Sequence, residues 1–243
     1  MESRLYDEMY AQERDHWWHR GKRFLVRCLI SRHVRGGRDQ NVLIVGVGTG
    51  FLHRELQDRY RVSGMDLSSI SLSYSRARGC RSLLSADAEE GLPVQPASVD
   101  VIIALDVVEH LARDSSFIKE CARVLRPDGR IMITVPAFPQ MWSLWDEVLD
   151  HKRRYTLKTL RDLFQRTPFS INHNSYWNAT SFAPAYLIRK IKKARDDRSS
   201  EFFSVSRTIN ATLTALLSLE AAISMVFRLP FGLSCVLVAT RNR

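Results

Sequence analysis

VLIVGVGTG (residues 42–50) decides how the rest of the chain is read. A short apolar run, rich in β-branched side chains, leads straight into glycines at 46, 48 and 50, and FLHRELQDRY (51–60) then reads as a helix. Glycine enters positive φ without penalty and lets another group approach the backbone. Strand, glycine turn and helix in that order open the nucleotide-binding α/β units. The spacing departs from the dinucleotide pattern G-x-G-x-x-G, because Phe51 stands where its third glycine would fall, and no P-loop lysine follows. The loop therefore lacks an obvious phosphate cradle.

Outward from this turn, apolar strands alternate with helical stretches. Strands are expected at 42–45, 61–65, 81–84, 99–105 and 130–135, with helices at 51–60, 69–78 and 115–125, the last closed by RPDG. Helices at 5–19 and 23–33 precede them. Such alternation implies parallel pairing through right-handed crossovers, with helices on both faces of the sheet. Ligands of open α/β sheets bind beyond the carboxyl ends of the strands. That rule selects residues 46–50, Asp66, Asp87, Asp106 and residues 135–137. Asp106 and His110 are four apart in LDVVEHL, so a helix starting there would turn both to one side. After residue 137 the pattern changes. A helix at 157–164 and strands near 169–173 and 233–241 flank a helical insertion at 179–228, expected to cap the active edge of the sheet. The domain plan is an N-terminal helical lid (1–40), a core (41–176), a helical cap insertion (177–231) and a closing strand of the core (232–243).

Composition bounds the partners. The chain has 243 residues, of which 45% are hydrophobic, so a sizeable core is available. Its formal charge is +10, but the Lys and Arg are scattered rather than clustered in runs. Cys28, Cys80, Cys121 and Cys235 are too far apart for a zinc knuckle or a C-x-x-C pair, and no metal set is read from the sequence. They read as reduced thiols of a cytoplasmic protein. The N-terminal segment is charged and aromatic, unlike a secretory signal. The apolar stretch 211–227 falls short of the roughly 20 residues a membrane span needs and carries Glu220. A cap helix, or one dipping into a bilayer surface, suits it better.

VLIVGVGTG, GMDLSS, SADAEEGLP, VDVIIALDVVEHL and ARVLRPDGRIMITVP together resemble class I methyltransferases that use S-adenosylmethionine. The resemblance covers the middle two-fifths of the chain. It implies a doubly wound, Rossmann-like, seven-stranded sheet with the helical cap inserted. The glycine loop (Gly46, Gly48, Gly50) would wrap the methionine part of the cofactor. Asp66, with Leu67 beside it, would take the ribose hydroxyls, and Asp87, with Ala88, the adenine amine; Leu105 would line the same crevice. Each acid could instead simply cap the next helix. RDHWWHRGKRFLV (14–26) resembles the stretch that precedes the core in one bacterial branch. There it closes over the cofactor, which would bring Trp18 and Arg23 to it; a tryptophan pair packing a leading helix is the plain alternative. One departure is Ile44, where the family usually has an acid that helps hold the methionine amino group.

Methyl transfer is an in-line displacement that depends mostly on alignment, worth roughly 7–11 kcal/mol. A hydroxyl acceptor also profits from a proton acceptor. His110, beside Asp106, is one candidate, although it could merely pack beside the cofactor. The other is His151 in MWSLWDEVLDHKRRYT, which resembles the W-S…D…H-x-R-R-Y pattern of the same branch through Trp142, Asp146, His151, Arg153, Arg154 and Tyr155. The family usually has glycine where Asp150 stands. Trp142, Asp146, Arg154 and Tyr155 would line the acceptor pocket, or Asp146 would pin the loop through Arg154. His151 is the leading base.

An apolar cap points to a small, hydrophobic or lipid-like acceptor, methylated on oxygen. The basic joint (Lys190, Lys192, Lys193, Arg195) could touch anionic membrane at its inner face, or the cap could be only a second small core with a solvated basic face. RNA or protein methylation is the alternative that the charge suggests. LDVVEH stands where base-N methyltransferases often carry an NPPY-type tetrapeptide, so no nucleic acid partner is expected. A non-catalytic, cofactor-binding scaffold is the third reading, resting on Ile44 alone. The sequence leaves the oligomeric state open.

Overall fold

The structure is a computed structural model that describes residues 3–199 and 205–243. Two helices, α1 (Ser3–Gln12) and α2 (Trp17–His33), lead into β1 (Asn41–Val45), α3 (Phe51–Leu56), β2 (Arg61–Asp66), α4 (Ser69–Ala77), β3 (Leu83–Ser85) and β4 (Val99–Leu105). They are followed by α5 (Asp114–Val124), β5 (Leu125–Pro136), α6 (Leu144–Val148), α7 (Leu157–Asp162), β6 (Phe169–Trp177), α8 (Phe182–Ala194), α9 (Arg207–Ser224) and β7 (Ser234–Arg241). The strands form one seven-stranded sheet in the order β3-β2-β1-β4-β5-β7-β6. β1 to β5 pair in parallel, and β7 runs antiparallel between β5 and β6.

The expected doubly wound sheet is present, and its strands bury the residues that periodicity selects. Ile102, Ile103 and Ala104 of β4 have no exposed surface, as a central strand covered on both faces requires. One core packs α5 and α7 against the sheet through Leu43, Val45, Phe117, Ile118, Ile131 and Leu160. The other packs α2 and α9 on the opposite face, with Leu25, Ile44, Val101, Trp177, Leu217 and Val236.

Three local expectations change. RPDG does not stand as a turn closing α5 ahead of the fifth strand: Leu125–Pro136 is one strand, Asp128 takes a φ of 64°, and the register against β4 shifts between Val99 and Val101. Aspartate tolerates the left-handed region, so the ladder absorbs a turn-like sequence as an irregularity. Residues 106–110 do not form one helix. Asp106 sits at φ 53°, and only Val108–His110 makes a 3₁₀ turn, so Asp106 and His110 point to different partners. The first helix breaks at residues 13–16, where His16 caps α2 by accepting from the Trp18 N–H.

The insertion leaves the sheet at Trp177 and returns at Ser234, which pair with each other, and Ser234 also pairs with Pro136. It therefore springs from the carboxyl end of β5, where the parallel strands open their crevice. α9 then lies along α2. A Cβ on Gly21 would stand 2.7 Å from the Leu217 Cβ, so glycine there sets how closely the two helices approach. Trp177 Nε1 donates to the Leu217 carbonyl, which anchors the contact.

Candidate functional site

The glycine loop is built by two different demands. A Cβ on Gly46 would fall 2.4 Å from Val107 Cγ2, and one on Gly50 would fall 2.7 Å from both Ser75 Oγ and Cys80 Sγ. Those two glycines answer to the protein's own packing. Gly48 differs: at φ 58° a Cβ on it would meet, among the described residues, only Met9 Sδ of α1, at 3.7 Å. Its carbonyl accepts from Ser71 Oγ and Ser75 Oγ, and its N–H donates to Asp66 Oδ2 at 3.0 Å. Asp66 Oδ1 accepts from the Ser68 N–H at 2.9 Å. The end of β2 and the turn after β1 are thus tied into one rigid corner. Each carboxylate oxygen offers two lone-pair directions, so Asp66 can still accept a vicinal diol. Leu67, 68% exposed, stands beside it. Asp87 Oδ1 accepts from the Glu89 N–H within a turn that no helix follows, while Ala88 and Leu105 are half-buried against the two cores. Gly48 and Asp66 fit the adenosyl amino acid that the resemblance implies. Ile44 takes no part, being 3% exposed within the second core.

The N-terminal helices close over this corner. Glu13 pairs with Arg78 at 3.4 Å and accepts from Thr49 Oγ1 of the glycine loop. Arg78 and Arg23 both lie over the Phe51 ring. Arg23 also binds Glu55 and the Glu13 and Arg14 carbonyls, so here its guanidinium belongs to the lid. Trp18 lies under the Lys22 ammonium, 4.2 Å from its ring centroid.

Lys22 connects the lid to the end of β4. Its ammonium pairs with Asp106, whose other oxygen accepts from Thr134 Oγ1 at 2.9 Å. Burial pulls Lys22 down to about 7, against the nearby Glu109 carboxylate. Glu109 has no exposed surface, and its burial drives its carboxyl up to about 8. His151 stands on the far side of Glu109, with Nε2 3.9 Å from Glu109 Oε1. Its Nδ1 lies 2.8 Å from Asp146 Oδ1. Asp146 is itself buried, accepting from Arg154 Nε and the Ser143 N–H. Burial alone would raise the Asp146 carboxyl, but His151, Arg154 and the Ser143 amide hold it well below the carboxylate range. The His110 ring meets the His151 ring edge-on at 4.8 Å, and burial pulls His110 down to about 4, so it is neutral near pH 7.

The structure thus brings His151, His110, Asp146 and Arg154 together and leaves Asp106 with Lys22. Trp142 is half-buried at the start of the same loop. Tyr155 is 3% exposed and donates to Asp114, which Arg153 also binds. Sequence reasoning missed Lys22, Glu109 and Glu13. Lys22 had a signal, one helical turn after Trp18 on a lid helix. Glu109 looked like a plain neighbour of His110.

Residues 43–133 match the family model described as a methyltransferase domain. Within the seven-stranded sheet, residues 43–133 are thus the part of the chain that matches a methyltransferase domain. A probable S-adenosylmethionine-dependent methyltransferase of Mycolicibacterium smegmatis is 34% identical over 160 residues, covering 65% of this chain and 61% of the relative. The ubiquinone biosynthesis O-methyltransferase of Idiomarina loihiensis is 33% identical over 129 residues, covering 50% and 53%. The chain thus spans between half and two-thirds of the length of these relatives. Among solved structures, the Haloferax volcanii protein complexed with the Trm112 methyltransferase activator superposes with a TM-score of 0.65 at 19% identity, covering 99% of this chain and 94% of that one. A Haemonchus contortus phosphoethanolamine N-methyltransferase complexed with S-adenosyl-L-methionine gives 0.59 at 18% identity, covering 90% and 52%.

Proposed function

We propose that this chain transfers a methyl group from S-adenosylmethionine to a hydroxyl of a small, hydrophobic or lipid-like acceptor. The observation that carries the reading is the Asp146–His151 pair standing beside Glu109, just past the β4 end that shares the cofactor crevice. The cofactor supplies a sulfonium-activated methyl group when bound. Gly48 and Asp66 would seat its amino acid and ribose parts, and α1 with Trp18 would exclude water from above. His151, oriented through Nδ1 by Asp146, would take the acceptor's proton on Nε2. The O-methyltransferase named among the relatives favours oxygen as the target. The scaffold reading still rests on Ile44 alone, which is buried in the second core; cofactor binding without turnover would favour it.

Asp66→Ala tests the cofactor half of this reading. Hydrogen bonds to a charged group are worth about 1.5–3 kcal/mol, so S-adenosylhomocysteine affinity measured by calorimetry should fall at least about tenfold. Unchanged affinity would remove the ribose assignment.

The cap supports an acceptor met at a lipid surface. Most of the large apolar side chains exposed among the described residues lie on it, including Leu187, Ile191, Ile209, Leu219, Val226 and Phe227. Exposed Lys190, Lys193 and Arg195 flank the α8 part of this surface. Glu220, the one acid of α9, is turned inward to accept from the Ala179 and Thr180 N–H groups. No helix among the described residues is long and apolar enough to cross a membrane, so contact would be peripheral. Co-sedimentation should show binding to vesicles containing anionic phospholipid and little binding to neutral ones. The Val226→Asp/Phe227→Asp variant should lower the bound fraction about tenfold or more, each lost apolar insertion costing roughly 1.5–3 kcal/mol. Equal binding by the variant would refute this surface.

A further inference from the structure

We propose that Glu109, His110 and His151 form a binding site for a divalent transition-metal cation of the zinc or cobalt kind. One ligand atom from each of the three residues lies within 4.8 Å of the other two. Each imidazole is held from behind through Nδ1. His151 Nδ1 is 2.8 Å from Asp146 Oδ1, and His110 Nδ1 is 3.3 Å from the Asp150 carbonyl. That leaves Nε2 of each ring as the donor. Metal-binding histidines are commonly oriented in this way by a carboxylate or carbonyl on the opposite ring nitrogen.

The decisive group is Glu109. It has no exposed surface, and neither carboxylate oxygen has a hydrogen-bond partner among the described residues. Two cations face it, Lys22 and Arg154, but each is paired with another acid, Lys22 with Asp106 and Arg154 with Asp146. Glu109 is the acid left over. A buried carboxyl left without a partner either keeps its proton or coordinates a cation, and a metal bound there would displace that proton. Two imidazoles and one carboxylate suit zinc, cobalt, nickel or iron better than magnesium or calcium, which prefer all-oxygen shells. Metal–nitrogen bonds of about 2.0–2.1 Å place tetrahedral donors roughly 3.3–3.4 Å apart, so the widest pair would close by up to about 1.5 Å. Three protein ligands leave coordination positions open. An acceptor hydroxyl bound there would lose its proton more readily, so the cation would take over the deprotonation that His151 performs when its Nε2 is free. The site itself stands whether or not the chain transfers methyl groups.

The test needs neither cofactor nor acceptor. The full chain, stripped with chelator, should take up one Co²⁺ with visible d–d absorption and one Zn²⁺ by equilibrium dialysis with elemental analysis. His110→Ala and His151→Ala should each weaken uptake at least 100-fold, while His33→Ala, at a histidine outside the cluster, leaves it unchanged. Asp146→Asn should weaken it about 10–100-fold. Substoichiometric uptake by the wild type, or full uptake by His110→Ala and His151→Ala, would overturn the proposal. Because His110 is only partly buried, its variant keeps the test available where Glu109→Gln fails to fold.

Discussion

His151→Ala is expected to lower the rate of methyl transfer by about 10²–10⁴-fold, the usual contribution of a positioned acid–base group. S-adenosylhomocysteine affinity should stay unchanged. The split follows from the geometry. Asp66 and Gly48 sit at the ends of β2 and β1, whereas His151 contacts Asp146, His110 and Glu109 beyond β4. Single-turnover transfer against calorimetric affinity separates the two effects. A variant that turns over like the wild type removes His151 from the chemistry. If the loss is recovered by added imidazole, Nε2 acts as a proton acceptor; recovery by excess Zn²⁺ instead assigns it to the cation site.

The parallel half of the sheet was readable because it is written in local terms. Residues 101–105 are apolar on both faces, so a central strand was the economical reading, and all of 99–105 fall in β4. The glycine corner was equally legible, though for partly different reasons. Gly46 and Gly50 are required by Val107, Ser75 and Cys80, whereas a Cβ on Gly48 would meet only Met9 Sδ among the described residues. What could not be read was pairing between distant segments. Lys22 meets Asp106 across 84 residues of chain, and nothing in periodicity reports such a contact. Glu109 is also invisible as a candidate from sequence, because its distinction is a buried carboxyl with no hydrogen-bond partner among the described residues. The spacing rule failed at Asp106 for a nameable reason. A left-handed aspartate stops the helix that would have aligned it with His110, and turns its carboxylate to Thr134 and Lys22 instead.

Asp146→Ala should produce the largest loss of stability. Asp146 has no exposed surface and accepts from Arg154 Nε, His151 Nδ1 and both the amide and hydroxyl of Ser143. Arg154 is itself 7% exposed and also donates to the Ala137 carbonyl at the end of β5, so the pair pins the His151 loop to the sheet. Removing one member of a buried ion pair typically costs about 3–5 kcal/mol, because the remaining charge is left uncompensated. At roughly 2–4 °C per kcal/mol for a chain of this size, the melting temperature should fall by about 6–20 °C. The pH dependence has a definite sign. The partners of Asp146 depress its folded-state pKa below the unfolded value, so its contribution is complete at neutral pH. The gap between wild type and variant should therefore narrow as pH falls below about 4. Arg154→Met serves as the matched control: it removes the buried cation while keeping most of the volume and leaves Asp146 its His151 and Ser143 contacts, so its loss should be smaller. Equal melting temperatures for Asp146→Ala and the wild type from pH 5 to 8 would show that the loop is held by packing alone, and that His151 is oriented without its carboxylate.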